Sequence, residues 1–250
     1  MVDIEYLRKL QAEAKRTADE LGLIVKELND RELKKFGKSF ERMLVLAYPQ
    51  REIVDIFLRH QGEILLGAMV AKAQFDSEFD GEQPSAGKFG MTVIRACYLG
   101  IGDDWEDAAP FTTGSPQNWI HSGTSLLGGT AGNPIRIGEN IVHVVIGIGS
   151  LHPSPKIESI KFEIDGKEKP VLTLGYQLKK SDLKVRELDS SLIWKKDTTV
   201  LAKVFISAKY GSSVDDYPYL LGVSYLRENV MRVHDPASVV LSVNKVVATT

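Results

Sequence analysis

A single cysteine stands in this chain of 250 residues, which excludes an intrachain disulfide framework and any zinc site built on several thiolates. Cys97 sits in the apolar stretch MTVIRACYLG, where it reads as a small buried hydrophobe. An excess of either charge is also missing: 31 Lys and Arg against 33 Asp and Glu give a net charge of −2. That balance provides no global attraction for nucleic acid or an anionic membrane. Long hydrophobic runs are absent too. The longest, Ile64 to Ala71, falls far short of the roughly 20 residues that span a bilayer. The N-terminal MVDIEYLRKLQAEAKR has no apolar h-region, so it does not read as a signal peptide. A reducing, cytosolic setting is the expectation.

Phosphate-binding and nucleophile motifs are missing as well. GTSLLGGTAGNP, residues 123–134, has the glycines of a phosphate cradle, but no lysine follows Gly128, Gly129 or Gly132. GIGSLH carries Gly147 and Gly149 but His152 where a dinucleotide fingerprint needs a third glycine, and GIGDDW has Trp105 there. Gly123-Thr124-Ser125 runs into Leu126 and Leu127, so it is no nucleophile elbow. SDLK (Ser181 to Lys184) has serine–lysine spacing without its partner motifs. His60, His121, His143, His152 and His234 are scattered, with no metal-binding spacing. The acid pairs Asp103-Asp104 and Asp215-Asp216 are adjacent residues whose side chains diverge, so neither is a ready acid/base couple. The sequence predicts neither a catalytic site nor a cofactor.

Residues 1–75 read as a helical unit. Ile4, Leu7, Leu10, Ala14, Ala18, Leu21 and Val25 recur at three- and four-residue steps. Asn29 to Glu32 has capping-box spacing, which starts a second helix carrying Leu33, Phe36, Phe40, Met43, Leu44 and Leu46 to near Tyr48. Pro49 suits the first turn of a third, with Ile53, Ile56, Phe57, Ile64 and Leu65 as apolar positions. Residues 76–90, acidic and rich in Gly and Pro, read as a linker.

From residue 91 to 250 the period changes. MTVIRACYL, NIVHVVIGI, KIESIKFEI, PVLTLGYQL, TVLAKVFISA, YPYLLGVSYL and ASVVLSVNKVVAT are short, rich in β-branched residues and bounded by turns. In KIESIKFEI, Ile160, Phe162 and Ile164 alternate with Lys161 and Glu163, and Asp165-Gly166 follows as a hairpin turn. No long helical pattern interrupts them. The fold class expected is α+β: a helical unit, then an antiparallel β-sandwich of roughly eight strands, the number a jelly roll needs. A loop at 100–139 is too long to be a mere link and carries Trp105, Phe111 and Trp119, which either plug the core or anchor an interface.

Two further features have a functional and a plain reading. DSEFDGEQPSAG places Asp76, Glu78 and Asp80 as calcium-ligand candidates, but Gly87 stands where a bidentate Glu belongs. RELKKFGKSFER offers Lys34, Lys35 and Lys38 to nucleic acid, or is an amphipathic helix with its lysines in water; the second is favoured.

From ENIVHVVIGIG through YPYLLGVSYL, the strand-rich part resembles the jelly-roll coat proteins of icosahedral viruses. The resemblance is one of pattern, covers the last 160 or so residues, and leaves the helical unit outside the family's usual plan. It implies a homo-oligomeric capsid shell, in which strand edges and loops meet neighbouring copies or a second coat protein. It also implies assembly in a host cytoplasm and residence in a virion. Two rivals stay open. An enzyme would use a pocket between the helical and β units, with His121 or His143 beside Asp103 or Asp104. A carbohydrate- or ligand-binding sandwich would expose Trp105 or Trp119 beside a groove.

Overall fold

A computed structural model describes residues 3–47, 50–99, 101, 104–121, 133–174, 178 and 184–227. Helix α1 (Ile4–Glu20) starts where the Asp3 carboxylate accepts the backbone N–H groups of Glu5 and Tyr6. Helix α2 (Asp30–Ala47) opens with the capping box read from the sequence. Asn29 Oδ1 accepts from Glu32 N at 3.0 Å, and Glu32 Oε2 accepts from Asn29 N at 2.8 Å. The third helix expected from the sequence is two helices, α3 (Arg51–Arg59) and α4 (Gln61–Phe75). They break at His60, whose backbone (φ −93°, ψ 12°) leaves the helical basin while its side chain turns inward onto two carboxylates.

Every residue from Ile64 to Ala71 is buried, so α4 has no polar face and must be covered all round. The other helices cover one side of α4, and a β-sheet covers the other. Gly67 makes that approach close: a Cβ there would lie 2.2 Å from Val144 Cγ2 and 3.0 Å from Tyr225 Cε2.

That first sheet runs in the order β1 (Phe89–Val93), β12 (Pro218–Arg227), β5 (Ile141–Ser150), β9 (Val185–Trp194), antiparallel throughout. The second is built on β10 (Thr199–Ile206) and β6 (Ile157–Ile164). On one side of β10 lie β3 (Gln117–Ile120) and then β4 (Ile135–Arg136), two pieces of one edge strand. On the far side of β6 lie β7 (Lys167–Glu168) and β8 (Leu172–Thr173), again one edge strand, interrupted at Pro170. A small ribbon pairs β2 (Phe111–Thr112) with β11 (Ser213–Val214). The turn between β6 and β7 has positive φ at both Asp165 (52°) and Gly166 (70°), as a two-residue hairpin requires.

With β3/β4 and β7/β8 each taken as one strand, the described residues form a sandwich of eight strands in chain order, paired first with eighth, second with seventh, third with sixth and fourth with fifth; ASVVLSVNKVVAT, also expected as a strand, lies outside the described residues. This is an antiparallel ribbon folded at its middle and rolled up, and the two sheets read 1-8-3-6 and 2-7-4-5. The fold is α+β, with an N-terminal helical layer on an antiparallel jelly-roll sandwich. The sheets meet through aromatic rings: Phe162 lies 6.0 Å from Trp194 and 6.4 Å from Trp119, centroid to centroid.

Helices and sandwich share one hydrophobic cluster, running from Leu7 through Phe36, Phe57 and Leu65 into Val144, Phe162 and Tyr225. Residues 76–90, read as a linker, carry a full core residue: Phe79 is buried and packs edge-on against Phe89 and Tyr225. The segment therefore stitches the helices to β1. No helix among the described residues is long and apolar enough to cross a membrane.

Candidate functional site

The first sheet is covered on both faces, by α4 and by the second sheet. Among the described residues, no helix or sheet packs on the outer face of the second sheet; its inner face buries Val200, Ala202, Val204, Ile160 and Phe162. Its outer face carries the alternate residues of the same strands. Leu201, Lys203 and Phe205 stand on β10, and Ser159, Lys161 and Glu163 on β6. Together with Pro116, Glu168 and Val171 they line a depression of about 300 Å³. Strand register sets the charges in rows: Lys203 lies opposite Lys161, and Glu163 opposite Glu168. Like charges facing across a ladder are unfavourable, and among the described residues one ion pair relieves them, Lys161 Nζ to Glu168 at 2.6 Å. Neither Lys203 nor Glu163 has an ion-pair partner among the described residues. The lining combines apolar Leu201, Val171 and half-buried Phe205 with equal numbers of both charges.

The residues singled out from the sequence lie elsewhere and do not converge. Asp76 pairs with Lys26, Glu78 with Lys88 at 3.3 Å, and Asp80 with Lys35. Three carboxylates held by three different lysines do not point at a common centre. Desolvation opposes the charge on Asp80, but the Lys35 ammonium and two hydrogen bonds from Ser85 outweigh it and hold the carboxyl far below its usual range. Among the described residues no group of three His, Cys, Asp or Glu side chains could hold a metal ion. Lys35 is accordingly half-buried and engaged, Lys34 and Lys38 are exposed, and Phe36 and Phe40 are buried. The helix is amphipathic, as the plainer reading had it.

Trp105, Phe111 and Trp119 face inward, at 8%, 2% and 3% exposure. Trp105 lies 6.2 Å from Trp119, which in turn reaches Phe162. They plug the sandwich, which leaves them little surface to offer a neighbour or a sugar ring. His143 is fully buried on β5. Its Nδ1 lies 2.8 Å from Ser224 Oγ on the neighbouring strand, and burial pushes its pKa down to about 3, so the ring is neutral. Asp104 accepts from the Trp105 N–H and so caps a short turn, and it makes no contact with His143. Asp103, His234, Ser181 to Leu183 and residues 123–132 of the glycine-rich stretch lie outside the described residues. What is described there is that the chain leaves β10 after Ile120 and returns to the same strand at Ile135.

Two polar clusters were not foreseen. Asp216, fully buried, accepts from Ser150 Oγ (2.5 Å), Lys156 N (2.6 Å), Ile157 N (3.1 Å) and Tyr217 N (2.8 Å), tying the β5–β6 connection to the start of β12. His60 lies between Glu63 and Glu187, with Nε2 3.0 Å from Glu187 Oε1, while Arg59 Nε donates to the same oxygen at 2.9 Å. The Glu63 hydrogen bond, outweighing burial, raises the His60 pKa, and Arg59 lowers that of Glu187. Glu187 is 127 residues from His60, so no local spacing could reveal this latch between the helical layer and β9.

Comparison with known proteins finds no matching family model and no matching curated protein.

Proposed function

We propose that this chain is a structural protein that assembles with copies of itself, the coat subunit of an icosahedral viral shell. The observation that carries the reading is the jelly roll of eight described strands with 1-8-3-6 and 2-7-4-5 sheets, one sheet sealed by the chain's own helices and the other with no described element on its outer face. Such a subunit presents a mixed-charge face to a neighbour, and symmetry repeats that contact many times, so each one can be modest. In this reading the protein acts in the virion after assembly in a host cytoplasm, alone or with a second coat protein.

A ligand-binding sandwich would use the same outer face. Its lining offers no Trp or Tyr for stacking on a sugar, since all three tryptophans of the chain are buried. Of the residues expected to serve an enzyme between the helical and β layers, His143 is sealed and neutral and Asp104 caps a turn, while His60, Glu63 and Glu187, which do lie there, are engaged with one another and with Arg59. Sedimentation velocity, light scattering and electron microscopy of the purified full chain test the proposal. Large closed particles or stable rings are expected. A sharp 27.7 kDa monomer, unchanged by salt and concentration, would overturn it.

A further inference from the structure

We infer that the open face of the second sheet is a two-fold contact with a second copy of this chain, in which Lys203 of each copy pairs with Glu163 of the other. The inference rests on the self-assembly reading and names the surface that performs it. Three observations carry it. The face holds two lysines and two glutamates in adjacent rows, so its net charge is zero and its pattern is self-complementary. Lys203 and Glu163 have no ion-pair partner among the described residues, while the like-charge pairs Lys203–Lys161 and Glu163–Glu168 are unfavourable across the ladder. Half-buried Phe205 and Val171, the latter 55% exposed, supply apolar surface between the charges.

The geometry of a two-fold contact makes use of those rows. An axis lying in the interface and crossing the strands midway between the rows turns the lysine row of one copy onto the acidic row of the other. Lys203 then lies about one strand spacing, ~4.8 Å, to the side of the partner's Glu163, a step that a lysine side chain spans easily. Each two-fold contact contains this pair twice. The surface does not suit a polyanion, because its acidic row would repel one as strongly as its lysine row attracts it. It does not suit a one-signed protein patch for the same reason.

Charge exchange in the full chain tests this. Lys203→Glu alone sets two glutamates against each other twice per contact, and Glu163→Lys alone does the same with two lysines. Each single variant is expected to raise the concentration at which assembly begins by about tenfold or more. The double variant K203E/E163K restores the pairing and should assemble near the wild-type concentration. So should the two single variants co-expressed, in particles containing both chains in equal amounts. Circular dichroism and thermal unfolding establish that each chain is folded. In a second measurement, wild-type protein is assembled from unlabelled and 15N-labelled chains and treated with a zero-length carbodiimide reagent. It should yield a Lys203–Glu163 crosslink between chains of different label.

Single variants that assemble like wild type, or a double variant no better than the singles, would overturn the inference. So would crosslinks confined to chains of one label. In each of those cases wild-type particles would still stand, and the coat reading with them. A wild-type chain that never assembles overturns both.

Discussion

Replacing Gly67 with alanine pits two effects of known size against each other. In the interior of a helix, alanine is favoured over glycine by about 0.8–1.0 kcal/mol. Considered as helix alone, α4 should therefore gain. At this position, however, the new Cβ would come within 2.2 Å of Val144 Cγ2 and 3.0 Å of Tyr225 Cε2. Ordinary carbon–carbon contact is about 3.5–4.0 Å, so α4 must lift by more than 1 Å or Val144 must move. Neither can give cheaply. Val144 is fully buried on a central strand, and Tyr225 is anchored by its hydroxyl, which donates to Ile64 O at 2.6 Å. Overpacking of this kind costs about 1–3 kcal/mol, and the severity of the overlap places it at the upper end. The net expectation is a loss of about 2 kcal/mol, or a Tm lowered by about 4–8 °C for a domain of this size. Thermal and urea unfolding of G67A measures it, and a double-mutant cycle with V144A, which removes the clashing methyl, should recover about 1 kcal/mol or more of the loss. If G67A is stabilised by the helix-propensity increment and shows no coupling to V144A, the close seating of α4 on the sheet is wrong.

Three further predictions follow from the buried groups. D216A leaves three backbone N–H groups and the Ser150 hydroxyl without their acceptor and should cost about 3–5 kcal/mol in chemical unfolding, with D216N retaining part of it. The His60–Glu187 latch gives a pH window. A raised His60 contributes stability that is full below the ordinary imidazole value of 6.5 and is lost as pH climbs through the raised pKa. A lowered Glu187 contributes above the ordinary value of 4.5 and is lost as pH falls through its own pKa. Stability should thus be greatest between the two, and H60Q should flatten the alkaline limb specifically; a wild-type alkaline limb that H60Q leaves unchanged would remove the latch. Because all three tryptophans are buried, fluorescence should be blue-shifted and acrylamide quenching several-fold weaker than for free tryptophan, in subunit and assembly alike.

The helices were legible because amphipathic periodicity is local: Leu7, Ala14 and Ala18 of α1 and Leu33, Phe36, Phe40, Met43 and Leu44 of α2 turn inward as the three- and four-residue steps select, and the Asn29–Glu32 box forms as spaced, whereas Leu21 on the same steps is exposed and Gln11 off them is buried on the Leu28 backbone. The alternation in KIESIKFEI likewise sends Ile160 and Phe162 in and Lys161 and Glu163 out. What the sequence hid are pairings across long separations. QNWI is too short to show alternation, so β3 lay concealed in a stretch read as loop. PVLTLGYQL promised a full strand; among its described residues Leu172, Thr173 and Leu174 run along β6, and Pro170, which lacks a ladder donor, separates them from β7. The glycines of GIGSLH have a packing reason: a Cβ at Gly149 would come within 2.3 Å of the Tyr219 ring, which lies across it from the paired strand. The candidate face was equally invisible, since Lys161 and Lys203 come together only when β6 and β10 pair.

The two kinds of surface on that face differ in how they answer to salt, and the difference bears on how a shell would be controlled. Ion pairs between exposed groups are screened over a Debye length of about 8 Å at physiological ionic strength and about 3 Å at 1 M. Apolar burial is unaffected or strengthened by the same salts. A contact combining Lys203 and Glu163 with Phe205 and Val171 therefore has a register set by charge and an affinity set largely by hydrophobic area. Raising salt should slow assembly, because charge steers encounter, while formed particles persist, because apolar contact holds them. A face held by charge alone would release its subunits in the same salt, so light-scattering kinetics of assembly and disassembly at low and high sodium chloride separate the two cases.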